Sequence, residues 1–157
     1  MNGFLNYLKE ADPTTYKAFA GKMVGGTTFD AAWKAIANKN PDHFGRLQHN
    51  YIQNSHYVPA VKKVENATGL NVAKKSAAVQ DVLWSTAVQH GPGGAATVFK
   101  NAGITSGMSD REIIIRVYAE RSKDNGNKYF KSSSDSIRKG VVNRFKTELQ
   151  DALKMLT

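Results

Sequence analysis

Along most of this chain the apolar residues recur at three- and four-residue steps, and the gaps between the runs carry helix-start and helix-stop residues. That periodicity fits helices and leaves little room for strands. Asp12-Pro13 and Asn40-Pro41 each place a capping side chain before a proline at the first helical turn. Thr27-x-x-Asp30 reads as a capping box with Asp in place of Glu. A helix from about Pro59 ends at Gly69, a residue suited to a left-handed cap. Ser76 opens a helix that Gly91-Pro92 stops, and a short helix follows between Gly94 and Gly103. Ser109 caps a segment from Asp110 to Ser122. Ile113-Ile114-Ile115 is the one β-branched run, but it sits inside that capped segment and reads as helix. After a polar loop, Lys123 to Ser133, the last helix carries Ile137, Val141, Phe145, Leu149, Leu153 and Leu156 on one face. The expected fold is all-α, one domain over residues 1–157, with eight or nine helices around a buried central helix.

Composition sets outer limits. At 157 residues the chain can build a core without staples. With no cysteine it has no disulfide framework, thiolate metal site or cysteine nucleophile. No apolar run is long enough for a membrane span. Met1 to Lys9 does not read as a secretory signal, so a protein working outside a cell would need another delivery route. The net charge is +9, and residues 121–157 hold nine Lys or Arg against four Asp or Glu. A solvated basic face explains this first, affinity for a polyanionic wall second, and nucleic acid last.

The 76–90 helix says most about function. Val79, Val82, Leu83, Trp84, Ala87 and Val88 cover most of its surface, as expected of a helix at the centre of a domain. Asp81, Ser85 and Gln89 then form one polar line along it. Such a line faces either an internal hydrogen-bond network or a cleft that binds a polar ligand such as a sugar. The internal network is the leading explanation on residue pattern alone. Gln48 and Tyr51, on the apolar stripe of the Pro41 helix, pose the same choice. Amides for hydroxyls and flat rings for sugar faces are what a carbohydrate site needs. Among carboxylates, Asp81 is the best-buried candidate for a general acid and Glu120 the next, although Glu112, Arg116 and Glu120 also read as an exposed ion-pair ladder. His90 closes the helix, where a cation would suit the dipole or a proton donor could sit. His43, His49, His56 and His90 have no metal-ligand spacing, and nothing calls for a metal or a cofactor.

The stretch Ser76-Ala-Ala-Val-Gln-Asp-Val-Leu-Trp-Ser-Thr-Ala-Val-Gln-His-Gly91 resembles a family of lysozyme-like domains. These occur in phage endolysins and tail proteins and in related spike and secreted proteins of bacteria. The flanking motifs follow in similar order: Phe29-Asp30-Ala31-Ala32-Trp33, then Phe44, Gln48, Tyr51-Ile52, His56-Tyr57 and Pro59. Asp110, Glu112-Ile113, Tyr118 and Arg121 come later, and Asn143-Arg144-Phe145 with Glu148 near the end. The resemblance implies a peptidoglycan-degrading fold with distant kinship to chitosanases. It implies phage-encoded or virion-associated origin, or export by a particle to the cell wall. Related domains begin with a Tyr-Glu-Ser element whose glutamate is the expected general acid, and this chain lacks that element. It therefore looks like the larger, C-terminal part of such a domain, and no residue here inherits the glutamate's role. Three alternatives stand: a site completed by an N-terminal segment or second chain, a non-catalytic relative, or another carboxylate in the acid's place. As a muramidase-like glycosidase, the chain would use Asp81, Glu120 or His90 for catalysis. Gln48, Tyr51, Trp84, Ser85 and Gln89 would line its groove for peptidoglycan glycan strands. As a tail or secretion-particle module, it would bind wall or assemble without hydrolysis.

Overall fold

The computed structural model describes all residues, 1–157, and the chain is all-α. It forms two compact units, Met1–Ser55 and His56–Thr157.

The first unit contains α1 (Asn2–Ala11), α2 (Pro13–Lys17), α3 (Thr27–Lys39) and α4 (Pro41–Ile52). The expected proline starts hold: Asp12 accepts the Thr15 N–H and Asn40 accepts the His43 N–H. The capping box at Thr27 does not form. Gly26 occupies the cap position in an extended conformation with no side chain to accept a bond, and Thr27 is already helical. Asp30 instead sits in the first turn of α3, where its charge complements the helix dipole. The core is built largely of rings. Phe4, Phe19, Phe29 and Phe44 are buried together with Leu8 and Leu47. Trp33 packs edge-on against Phe44 with centroids 4.8 Å apart.

The second unit contains α5 (Val58–Thr68), α6 (Ala77–Asn101), α7 (Asp110–Arg121) and α8 (Asp135–Lys154). Gly69 ends α5 at φ 73°, the left-handed cap expected there. A wider helical turn, Gln53–Tyr57, lies just before α5. α6 is the buried central helix, with α5, α7 and α8 packed on it. Val79, Val82, Leu83 and Ala87 are fully enclosed. The stop at Gly91-Pro92 takes the form of a kink. Gly91 alone leaves helical geometry, at φ 73° and ψ 168°, and the chain resumes helix at once. Ser109 caps α7, and Ile113 and Ile114 are buried within it. On α8 the expected apolar face forms except at its first position: Val141, Leu149, Leu153 and Leu156 pack against the core beside Phe145. Phe145 and Ala152 are buried, but Ile137 is exposed and Leu156 lies past the helix end. The Lys123–Gly126 turn places Asp124 and Asn125 at positive φ, 55° and 54°. No helix is long and apolar enough to cross a membrane.

Candidate functional site

The polar line of α6 meets charged groups from two neighbouring helices of the second unit. α7 contributes Tyr118 and Arg121, three residues apart and so on one face. α8 contributes Arg144 and Glu148 at i, i+4. Glu148 is the hub. Its Oε2 accepts from the Ser85 hydroxyl at 2.8 Å and from the Tyr118 hydroxyl at 3.2 Å, and the Arg121 guanidinium lies 3.5 Å away. Its Oε1 faces the Arg144 Nε at 3.1 Å. Arg144 also donates to the Gln89 side-chain oxygen.

Arg121 is the unusual member, because none of its side chain is exposed. Its guanidinium lies 3.9 Å from the centre of the Phe145 ring and 5.0 Å from that of Tyr118. Both terminal nitrogens reach the Ser85 oxygen at 3.3 Å, while the Nε has no partner. Burial pulls the Arg121 pKa down, while Tyr118 and Glu148 favour its charge. Burial raises the Tyr118 phenol well above its ordinary range, and Glu148 adds to the rise.

Over this network lies a pocket of about 210 Å³ lined by Trp84, Ser85, Val88, Gln89, Arg144 and Glu148. The Trp84 ring is braced by Tyr57, with centroids 5.4 Å apart. The structure thus brings Trp84, Ser85 and Gln89 together as one lining. Asp81 stands on the same line of α6, but it is exposed and not the buried acid expected from the pattern. The protein mass around it, and then Glu148, nevertheless raise its carboxyl pKa.

Glu120 belongs elsewhere. The expected ladder stops at Arg116, which pairs with Glu112 at 2.8 Å. Glu120 is only 6% exposed and engages Lys128 and the Tyr129 hydroxyl, the latter at 2.7 Å. Burial alone would push its carboxyl up, but these two donors hold it below the ordinary carboxylate range. His90 is not the cation expected at a helix end. Burial, then Arg121 and Arg144, lower its pKa to about 4. Its Nε2 is buried without a hydrogen-bond partner, and the ring lies against Tyr129 and Phe130.

Gln48 and Tyr51 belong to the first unit. With Met1, Phe4, Trp33 and Ile52 they line a second pocket, of about 200 Å³. The Gln48 amide donates to the Phe44 carbonyl, and the Tyr51 ring meets the Phe4 ring edge-on. No three His, Asp or Glu side chains gather in a way that could hold a metal ion.

Sequence reasoning did not weigh Tyr118, Arg121, Arg144 and Glu148 as site residues. The available signals were the motifs of the resemblance, which include all four residues, and their spacing. Arg121 shares a stripe with Val117 and Tyr118, and Arg144 to Glu148 is an ion-pair step on a helix whose other face is apolar.

Fold and site together define an all-α module whose charged network supports a small polar pocket. The chain matches, over residues 1–149, the family described as type VI secretion system spike protein VgrG3-like, C-terminal. It is 31% identical over 137 residues to the type VI secretion system spike protein VgrG3 of Vibrio cholerae serotype O1. That match covers 84% of this chain and 13% of the relative's length. The chain belongs to the VgrG3-like C-terminal family of type VI secretion spike proteins.

Proposed function

We propose that this chain is a cell-wall-engaging module of a type VI secretion spike, exported with the particle, that holds peptidoglycan glycan without cutting it. The observation that carries this reading is the pocket floored by the Glu148 network. Trp84 offers a flat apolar ring for a sugar face, and Ser85, Gln89, Arg144 and Glu148 offer donors and acceptors for its hydroxyl and amide groups. Buried Arg121 fixes Ser85 and Glu148 in place, so little side-chain order has to be gained on binding. The pocket of Gln48, Tyr51 and Trp33 supplies an aromatic lining of the same chemistry. The state of two carboxylates supports binding without cleavage. The oxygens of Glu148 are already engaged by four side chains, and Glu120 is held low by Lys128 and Tyr129.

One observation favours hydrolysis as a second reading. Asp81 has a raised carboxyl pKa, and Glu148 contributes to the rise. Two carboxyl groups in unlike surroundings are the arrangement by which glycosidases separate acid and base roles. In that reading Asp81 protonates the leaving oxygen of the glycan, and Glu148 is the second carboxylate.

The test is to incubate the purified chain with purified peptidoglycan and to measure both the bound fraction and new reducing ends. Pelleting with the wall, lost in Trp84→Ala, with no new reducing ends is the expected result. New reducing ends that vanish in Asp81→Asn would replace it with the second reading. Neither binding nor release would overturn both.

A further inference from the structure

The first unit holds a different site, in a pocket of about 430 Å³ where α2, the end of α3 and the start of α4 meet. Asp12 is its fixed point. The carboxylate accepts the Thr15 N–H at 3.0 Å, the Thr15 hydroxyl at 2.7 Å and the His43 Nε2 at 2.7 Å. These donors, His43 first, hold the Asp12 pKa down to about 2, so at neutral pH Asp12 only accepts and His43 Nε2 carries the proton. In the neutral ring Nδ1 is then the unprotonated nitrogen, and it has no partner. The His43 backbone is pinned as well, because its N–H is taken by the Asn40 cap. With 43% of its side chain exposed, the oriented imidazole is still open to a ligand.

Two further features complete the lining. Lys39, in the last turn of α3, is exposed and has no carboxylate partner, so it offers a free ammonium. Ile36, Ala18 and Phe44 give the same pocket an apolar wall, with Phe44 itself buried. One cation, one fixed acceptor and an apolar wall match the end of a peptide. Its carboxylate suits Lys39, the last amide N–H suits His43 Nδ1, and a small side chain suits the wall. An inorganic anion would leave the apolar wall unused.

We propose that this pocket binds the free carboxylate end of a short peptide, with Lys39 and His43 as the recognising residues. This goes beyond the glycan-binding reading and rests on a different unit of the chain. The test is nuclear magnetic resonance titration of the full chain with N-acetyl-Ala-Ala, with the same peptide amidated, and with inorganic phosphate. The free acid should give saturable shifts at the His43 ring and Lys39. The amidated peptide should bind on the order of tenfold more weakly, as should Lys39→Met with the free acid, since each removes one charge-assisted contact. His43→Phe keeps a flat ring but has no acceptor, and it should bind weakly while shifts of residues outside the pocket stay unchanged. Equal binding of acid and amide, equal shifts with phosphate, or no saturable shift would each overturn the proposal.

Discussion

Replacing Glu148 with leucine should destabilise the second unit far more than an ordinary surface change would. Arg121 is wholly buried, and Glu148 is its one carboxylate partner, at 3.5 Å. Removing one partner of a buried ion pair costs about 3–5 kcal/mol, because the other charge is left without compensation in a poorly solvated place. Two local facts set the value within that range. Glu148 is 29% exposed, so water can reach the vacated position and soften the loss. Against that, Arg144 stands across the same site and disfavours the Arg121 charge even now. The lower end, about 3 kcal/mol, is therefore expected. The double variant Arg121→Met/Glu148→Leu removes the stranded charge and leaves the Ser85 and Tyr118 hydroxyls short of a partner, at about 1 kcal/mol each, while Arg144, 49% exposed, exchanges its carboxylate for water. It should thus be more stable than Glu148→Leu alone. Urea unfolding read by Trp84 fluorescence in a Trp33→Phe background confines the signal to the second unit. With a slope of about 2 kcal/mol per molar, the single variant should shift the midpoint down by roughly 1.5 M. A single-variant cost below about 1 kcal/mol, or a double variant less stable than the single, would refute the account of Arg121 as a buried charge dependent on Glu148.

Further outcomes follow from other sites. His90 titrates near 4 when folded against 6.5 in the unfolded chain, so the unfolded state binds the extra proton and stability should fall as pH drops from about 6.5 to 4. With His90 only partly enclosed the loss should be about 1–2 kcal/mol, and unfolding curves of His90→Leu should lack that slope. Asp12 has the depressed pKa usual for a carboxylate, so its contribution is present above about pH 4 and lost on the way to about 2. The exposure of His43 limits this to about 1 kcal/mol, and Asp12→Asn should show the loss already at pH 7 by thermal unfolding. A Cβ on Gly94 would sit 2.8 Å from the His90 Cβ, whereas one on Gly93 would meet nothing. Gly94→Ala should therefore cost about 1–3 kcal/mol, while Gly93→Ala should be neutral or mildly stabilising, and equal melting temperatures for the two would contradict the packing described at His90.

The helical class was legible because caps and apolar spacing are local properties. Asp12, Asn40, Ser76 and Ser109 each announced a helix start from the sequence alone, and Gly69 announced an end. The Thr27 box failed for an equally local reason: the chain begins α3 one residue earlier, at a glycine that can take the extended cap conformation. Site residues were less legible because burial is a property of the whole fold. Asp81 sits among apolar neighbours along the chain, yet its position on α6 faces outward. Glu120 has the spacing of an exposed ladder, yet it is turned inward onto Lys128 and Tyr129. Arg121 and Glu148 lie on different helices, and no periodicity within either helix shows that they meet.

The unequal size of the two units bears on how the molecule breathes. Met1–Ser55 has a small core made mostly of rings, while His56–Thr157 has the longer apolar helices. A unit of some 55 residues buries a smaller share of its surface than one of about 100. Its backbone amides should then exchange with solvent through openings of lower free energy, as one cooperative block. Protection against exchange would step upward near residue 56 and not rise smoothly along the chain. The Asp12–His43 pocket would thus open more often than the Trp84 pocket, even though both are formed in the resting structure.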